Sequence, residues 1–239
     1  MKIKFQYISD IHLEHGTNLS IIPIAEYLIL AGDIGCPFER NYYEFIKDVS
    51  TKFKYVFLIT GNHEYYSKTF SMQDTENQIR NITYEFKNII YLQNESFDIP
   101  ETDITVFGTT LWTPITPEHY ENNRIFISDY RCIPGFSIEE RNKLYKLAHN
   151  VISHLESNKK YIVITHHIPH DKLVNVNYKN NALKSAYSCI VPELEAPNIL
   201  AVVYGHTHTA SHIDKYYCNP IGYPGENFYY STQKILTIE

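Results

Sequence analysis

The feature that most constrains this fold is a series of short apolar segments, rich in β-branched residues and separated by polar stretches. They span residues 3–8, 27–30, 55–59, 104–107, 161–164 and 199–204. Segments of this length, bounded by turn or polar residues, predict strands that are buried on both faces. Stretches of helical character lie between several of them, at 38–53, 72–86 and 137–157. The alternation of strands and helices predicts a layered α/β architecture.

The chain length predicts a single domain over residues 1–239. A chain of 239 residues can bury most of its apolar surface without disulfides or a structural metal. The four cysteines are widely scattered and form no CxxC pair, so we expect free thiols. Two long irregular regions, 112–135 and 169–197, are predicted to be insertions over a site, because long loops in compact domains are usually functional.

Composition and charge argue against several classes of function. No apolar run approaches the roughly 20 residues that span a bilayer. The amino terminus alternates like a strand and lacks the apolar stretch of a signal peptide, so we expect a cytoplasmic protein that does not enter membranes. A formal net charge of -6 argues against a broad binding surface for duplex nucleic acid. Nothing in the sequence indicates how many chains assemble.

Polar residues of the same few kinds follow five of the predicted strands. The five clusters are Asp10-Ile11-His12, Gly32-Asp33, Gly61-Asn62-His63-Glu64, His166-His167 and Gly205-His206-Thr207-His208. Each cluster alone is compatible with ordinary turn chemistry. If the chain stays extended through Ile11, Asp10 and His12 project to the same side. Because ligands of open α/β sheets gather beyond the carboxyl ends of strands, the five clusters together predict one shared site.

The side chains in these clusters predict a metal site. Two aspartates, an asparagine and four histidines supply oxygen and nitrogen ligands and no thiolate, which suits divalent Mn, Fe, Zn, Co or Ni. These ligands are too many for one tetrahedral ion. Two ions about 3.5–4 Å apart that share one carboxylate would use them all, and such pairs promote displacement at phosphorus.

The five clusters, in this order, resemble the calcineurin-like metallophosphoesterases. The pattern of that family is Asp-x-His, Gly-Asp, Gly-Asn-His-(Glu/Asp), His and Gly-His-x-His, and it is complete here between residues 10 and 208. The resemblance implies a four-layer α/β/β/α sandwich with two facing mixed β-sheets flanked by helices. It also implies two divalent ions, Mn above all, with seven protein ligands. The first ion is assigned Asp10, His12 and His208, the second Asn62, His166 and His206, and Asp33 bridges the two.

The resemblance also implies the roles of Asn62 and His63 toward the substrate. Both are expected at the phosphate, and His63, which is not a metal ligand, is expected to protonate the leaving oxygen after attack by a hydroxide formed at the metals. His166 is preferred over His167 as the ligand. Since adjacent residues of an extended chain point to opposite sides, His167 stays the alternative.

Other residues near these clusters are weaker candidates. Arg124 and Arg131, in the first insertion, can bind a phosphate or stack on a base, with local ion pairing as the alternative. Tyr65 and Tyr66 either wall the pocket or begin the next buried element. A set of nearby acidic and histidine residues is interpreted as solvated loop residues rather than as partners of the ligands: Glu14, His15, His170, Asp171 and His212.

Departures from related branches narrow the expected function. The second cluster continues as Ile34-Gly35-Cys36, without the Val-Asp-Arg-Gly of protein Ser/Thr phosphatases, and Cys36 stands where purple acid phosphatases place a metal-binding tyrosine. The resemblance therefore favours a phosphodiesterase for a small phosphoester, with nucleotides among the candidates. A phosphomonoesterase, a nuclease and a non-catalytic interaction scaffold on the same fold are the alternatives.

Overall fold

The structure, a computed structural model, describes residues 2–17, 19–175, 181–227 and 230–239. Over these residues the strands follow in chain order as β1 (Ile3–Ile8), β2 (Tyr27–Ala31), β3 (Tyr55–Ile59), β4 (Ile89–Tyr91), β5 (Glu95–Asp98), β6 (Ile104–Thr109), β7 (Lys160–Thr165), β8 (Ile199–Tyr204), β9 (Ser211–Ile213), β10 (Tyr216–Cys218) and β11 (Ile235–Ile238). The helices are α1 (Arg40–Ser50), α2 (Met72–Tyr84), α3 (Tyr120–Phe126), α4 (Asp129–Cys132), α5 (Ile138–Ser153) and α6 (Lys184–Tyr187).

The strands form two mixed sheets. The first has the order β11-β1-β2-β3-β4 and the second the order β5-β6-β7-β8-β10-β9. Strands β1 to β4 run parallel, as do β6, β7, β8 and β10, whereas β11, β5 and β9 pair antiparallel at the edges. The central strands of each sheet therefore end on the same edge, which is where the polar clusters follow.

The apolar runs are continuous because each central strand is buried on both faces. In the first sheet, Phe57 and Ile59 face the second sheet, while Val56 and Leu58 pack with α1 and α2 on the outer face. In the second sheet, Ile162 joins the core between the sheets, and its neighbour Val163 packs on the side of α5. The result is a four-layer α/β/β/α sandwich.

Capping residues fix where two of the flanking helices begin. Ser71 and Asp74 form a reciprocal capping box at α2. At α5, the Ser137 side chain accepts a hydrogen bond from the Glu140 backbone N–H at 3.2 Å. Both helices then turn an apolar stripe toward a sheet, which is the main source of helix stability in a globular domain.

The structure confirms the six predicted strands and the three predicted helices, with ends that differ by a few residues. The predicted insertion at 112–135 contains α3 and α4. The other, at 169–197, contains α6, and its residues 176–180 lie outside the described part of the chain. All four cysteines are free. In the described ranges, no helix is long and apolar enough to cross a bilayer.

Candidate metal centre

The chain turns sharply where the polar clusters leave the strands. Five of the seven predicted ligands have a left-handed backbone, with φ of 51° at Asp10, 52° at His12, 53° at Asp33, 68° at His206 and 47° at His208. The expectation that an extended chain aims Asp10 and His12 together is therefore wrong, although both side chains do reach one cluster. Left-handed non-glycine residues cost about 1–3 kcal/mol each and concentrate at functional sites.

Close packing between two loops explains the glycine of the third cluster. A Cβ atom on Gly61 would lie 2.1 Å from Asp33 Oδ1 and 2.6 Å from His166 Cε1. Any side chain at this position would displace both predicted ligands. Glu64 then ties the two loops together, because its buried carboxylate accepts backbone hydrogen bonds from Ile34 at 2.6 Å and from Gly61 at 2.7 Å.

The first cluster comprises Asp10, His12 and His208, whose ligand atoms lie within 4.8 Å of one another. His12 Nδ1 donates to Glu14 Oε1 at 2.9 Å, and His208 Nδ1 donates to Glu226 Oε2 at 2.6 Å. With Nδ1 of each ring carrying its proton, the two Nε2 atoms face each other at 3.2 Å with their lone pairs. Opposed lone pairs at this distance are stabilised by a cation between them.

The second cluster comprises Asp33, His166 and His206, also within 4.8 Å. His166 Nδ1 donates to the Ala31 carbonyl at 3.0 Å, so its Nε2 lone pair faces Asp33 Oδ2 at 3.3 Å and Asn62 Oδ1 at 3.2 Å. His206 Nε2 is buried and has no hydrogen-bond partner among the described residues. Acceptors that face acceptors, together with an orphaned buried nitrogen, fit a second metal ion.

Asp33 lies between the two clusters. Its Oδ2 is 3.3 Å from His166 Nε2 of the second cluster and 3.9 Å from His12 Nε2 of the first. Its Oδ1 accepts a hydrogen bond from the His63 backbone N–H at 2.8 Å, which fixes the carboxylate plane. This placement is compatible with a bridging carboxylate.

The carboxylates give both clusters a preference for positive charge. Burial opposes charging of the histidines, yet Asp33 raises the pKa of His166 to about 10, and the hydrogen bond with Asp10 raises the pKa of His208 to about 9. Burial and the neighbouring His166 lower the pKa of His206 to about 3, so this ring is neutral. Protons and metal ions compete for the same lone pairs, and divalent ions suit this oxygen and nitrogen donor set.

The Asn62 amide is oriented by two residues that the sequence reasoning missed. Its Nδ2 donates to Asp129 Oδ1 at 2.9 Å, which leaves Oδ1 facing the second cluster. The other carboxylate oxygen of Asp129 accepts from Arg141 Nη1 at 2.8 Å, and the Arg141 side chain is 0% exposed. The sequence did contain a signal for this contact. Arg141 lies on the same buried stripe of α5 as Ile138, and a cation in a buried position requires a partner.

His167 points away from both clusters. Its Nδ1 donates to the Thr110 carbonyl at 3.1 Å, and its Nε2 faces Arg141 Nη2 at 3.3 Å. Burial and the neighbouring positive charges hold the pKa of His167 well below its usual range, so it accepts this hydrogen bond as a neutral ring. The structure therefore brings His166, and not His167, into the second cluster.

His63 lies beside the clusters and is held by two side chains. Its Nδ1 is 3.2 Å from Glu14 Oε1, and its Nε2 is 3.1 Å from the Tyr223 hydroxyl. Burial opposes protonation of His63, but Asp33 and Glu14 raise its pKa. The interpretation of Glu14 as a solvated loop residue is wrong, since its carboxylate contacts the His12 and His63 rings and is only 19% exposed.

The two candidate arginines are not brought to the clusters. Arg124 Nη1 lies 3.9 Å from Glu121, and Arg131 donates to the Ile125 carbonyl. Both side chains are exposed, and neither lines a cavity at the clusters. Tyr66 lines the site, whereas Tyr65 is buried with Trp112.

Three neighbouring cavities form a groove over the clusters. The central cavity, about 210 Å³, is lined by residues of both clusters. It shares His63, Tyr66 and Tyr223 with a cavity of about 720 Å³ on one side. On the other side it shares Tyr187, His206 and His208 with a cavity of about 180 Å³. A ligand at the clusters therefore has room to extend in both directions.

Comparison with known proteins agrees with this architecture. The sequence profile of the calcineurin-like phosphoesterases matches residues 3–210. An uncharacterized protein of Acanthamoeba polyphaga mimivirus is 30% identical over 242 residues, covering 86% of this chain and 85% of its own. The structure of the phosphopantetheinyl hydrolase of Mycobacterium tuberculosis has the same fold, with a TM-score of 0.73 and 14% identity over 94% of this chain and 91% of its own. The chain belongs to the calcineurin-like phosphoesterase family and is a metallophosphoesterase.

Proposed function

We propose that this phosphoesterase is a phosphodiesterase for a small substrate. The observation that carries the proposal is the groove, which continues past the clusters on both sides. A phosphodiester has two substituents on phosphorus and needs such space on both sides, whereas a monoester needs it on one. Nucleotides, including cyclic ones, are among the candidate substrates.

The seven residues assigned by the sequence are proposed to hold two divalent ions, with Mn favoured: Asp10, His12, Asp33, Asn62, His166, His206 and His208. When bound, such a pair supplies a water of lowered pKa and positive charge for the phosphoryl oxygens. Glu14 and Glu226 fix the Nδ1 protons of His12 and His208, so that each Nε2 lone pair points inward. Asp129 similarly fixes the Asn62 carbonyl oxygen toward the second cluster.

His63 is proposed to be the proton donor for the leaving oxygen. Glu14 accepts the Nδ1 proton, so Nε2, which lines the groove, is the atom that carries the transferable proton. Proton transfer of this kind contributes on the order of 10²–10⁴-fold to the rate. Tyr223, whose hydroxyl contacts Nε2 at 3.1 Å, keeps the ring aimed into the groove.

The test measures turnover of bis(p-nitrophenyl) phosphate and p-nitrophenyl phosphate by the Mn²⁺-loaded protein. We expect the diester to have the higher kcat/KM. A His63→Ala variant should lose on the order of 10²–10⁴-fold in kcat while retaining two metal ions. His119→Ala, which removes a loop histidine outside the groove, is the matched control and should keep full activity. A preference for the monoester would refute the diesterase proposal, and an active His63→Ala variant would refute the role of His63.

A further inference from the structure

We propose that the 720 Å³ cavity beside His63 takes the leaving group, and that it selects leaving groups without a negative charge of their own. The substrate class would then be phosphodiesters of neutral or cationic alcohols, rather than esters that carry a second phosphate or a carboxylate on the leaving group. This inference rests on the proposed diesterase function and specifies its substrate.

The position of His63 identifies the cavity. His63 lines both the central cavity and the 720 Å³ cavity, and it faces the groove through Nε2. A proton donor must lie beside the oxygen that leaves, so the leaving group extends from the clusters into this cavity. Its volume falls within the range of ordinary small-molecule sites and admits a group as large as a sugar or a nucleoside.

The charges on the cavity wall disfavour an anion. Two carboxylates line it, Glu14 and Glu39, together with the imidazoles of His15 and His63, and the described part of the chain contributes no lysine or arginine to the lining. Arg40, the cationic residue that directly follows Glu39 in the sequence, donates to Glu44 at 3.4 Å and does not line the cavity. Sites that bind a second anionic group commonly use arginine or lysine for it, so this wall lacks the usual means of recognition.

The carboxylates around the clusters leave little surplus positive charge. Asp10, Asp33, Glu14 and Glu226 each contact a histidine of the two clusters. Four carboxylates match the charge of two divalent ions. The substrate phosphate therefore meets an almost balanced centre. Glu14 is already paired with the His12 and His63 rings, so a further anion on the leaving group would meet the unbalanced charge of Glu39.

Two tyrosines of the remaining wall suit an uncharged or cationic group. Tyr66 and Tyr223 both line the cavity, and the Tyr66 ring lies 4.2 Å from the His63 ring. Tyr223 is 40% exposed, so part of its ring is available to a ligand. Phenol rings offer apolar faces that bind other rings and attract cations.

The test compares leaving groups of nearly the same shape that differ in charge, by binding as well as by turnover, since the carboxamide also makes the phenol a better leaving group. The substrates are the methyl phosphodiesters of 3-carboxy-4-nitrophenol and of 3-carbamoyl-4-nitrophenol, which have the same chromophore. We expect kcat/KM for the carboxylate to be about 10-fold lower than for the carboxamide at neutral pH, and the ratio to shrink at high salt. Titration calorimetry on the metal-loaded His63→Ala variant should show the same preference, with a Kd about 10-fold higher for the carboxylate ester than for the carboxamide ester.

Reversing one wall charge tests the source of the discrimination. Glu39→Lys should bring the carboxylate-to-carboxamide ratio several-fold closer to one. The control is Asp103→Lys, which changes the net charge equally but lies before β6, at the end of the sheet away from the clusters; it should leave the ratio unchanged.

The outcomes separate the two proposals. If the carboxamide ester is hydrolysed and the carboxylate ester is hydrolysed and bound equally well, the charge selection is refuted and the diesterase stands. If neither these esters nor bis(p-nitrophenyl) phosphate is hydrolysed by protein with two verified ions, the diesterase proposal is refuted, and the leaving-group inference is refuted with it.

Discussion

The two clusters of proposed metal ligands contain similar residues but are held in different ways. In the second cluster, the Ala31 carbonyl fixes His166, and a chain of hydrogen bonds through Asp129 joins Asn62 to Arg141. The Arg141 side chain is 0% exposed. This cluster is therefore positioned by backbone and by the core beneath the first insertion.

The first cluster is positioned by carboxylates that solvent can reach. Glu14 holds His12 and is 19% exposed, and Glu226 holds His208 and is 45% exposed. This difference implies that the folded core would fix the proposed second ion, whereas the proposed first ion would depend on residues of two loops. We therefore expect the first ion to exchange faster with free ions in solution. We expect the affinity for the second ion to change when the packing of the core is altered.

The largest effect should come from Asp33, the residue that lies between the two clusters. In Asp33→Asn, the carboxylate between His12 and His166 loses its charge, so both sites are weakened together. We expect fewer than two ions per chain and a loss of about 10³-fold or more in kcat/KM on the diester. Metal analysis and steady-state kinetics measure this, with Asp103→Asn as the control. Retention of two ions and near-normal activity would show that Asp33 does not bridge.

The adjacent histidines provide a matched pair for the second cluster. His166→Gln removes a ligand nitrogen, whereas His167→Gln removes a ring that contacts Thr110 and Arg141. We expect His166→Gln to lower kcat/KM by about 10²–10³-fold with loss of one ion. His167→Gln should keep two ions and mainly lower the free energy of unfolding. The reverse result in metal analysis would assign His167 as the ligand.

Arg141 tests whether the second cluster depends on the core. Arg141→Met leaves the Asp129 carboxylate buried without its cation, which should lower the free energy of unfolding by about 3–5 kcal/mol. Loss of an orienting partner should also weaken the second ion by about 10–100-fold and leave the first unchanged. Urea unfolding and metal titration measure the two effects, beside Arg131→Met at an exposed arginine. Equal weakening of both ions would contradict the proposed separation.

The fold and the convergence of the polar clusters could be predicted from sequence for one physical reason. Doubly buried strands leave continuous apolar runs, and the carboxyl ends of parallel strands meet at one edge, so residues after the runs must converge. The backbone geometry could not be predicted in this way. Asp10 and His12 reach one cluster through left-handed turns rather than an extended chain.

The partners of the ligands were harder to predict, because they come from long-range packing. Arg124 and Arg131 were candidates because they lie in a predicted insertion, yet the arginine that supports the site is Arg141 on α5. Glu226 lies 18 residues from His208 and follows no strand. Only the fold brings such residues together; the buried stripe of α5 indicates that Arg141 needs a partner, but not which residue that partner is.

The smallest effect should come from the exposed support of the first cluster. Glu226→Gln keeps an oxygen near His208 Nδ1 but removes the charge, so the imidazole becomes a weaker ligand. We expect the affinity for the first ion to fall by about 10-fold, with little change in the second ion or in the free energy of unfolding, because Glu226 is 45% exposed. Competition with a chelator measures each ion in turn, with Glu121→Gln as a surface control. If the second ion weakens equally, the two clusters share one support, and the contrast between core and loop does not describe how this site holds its metals.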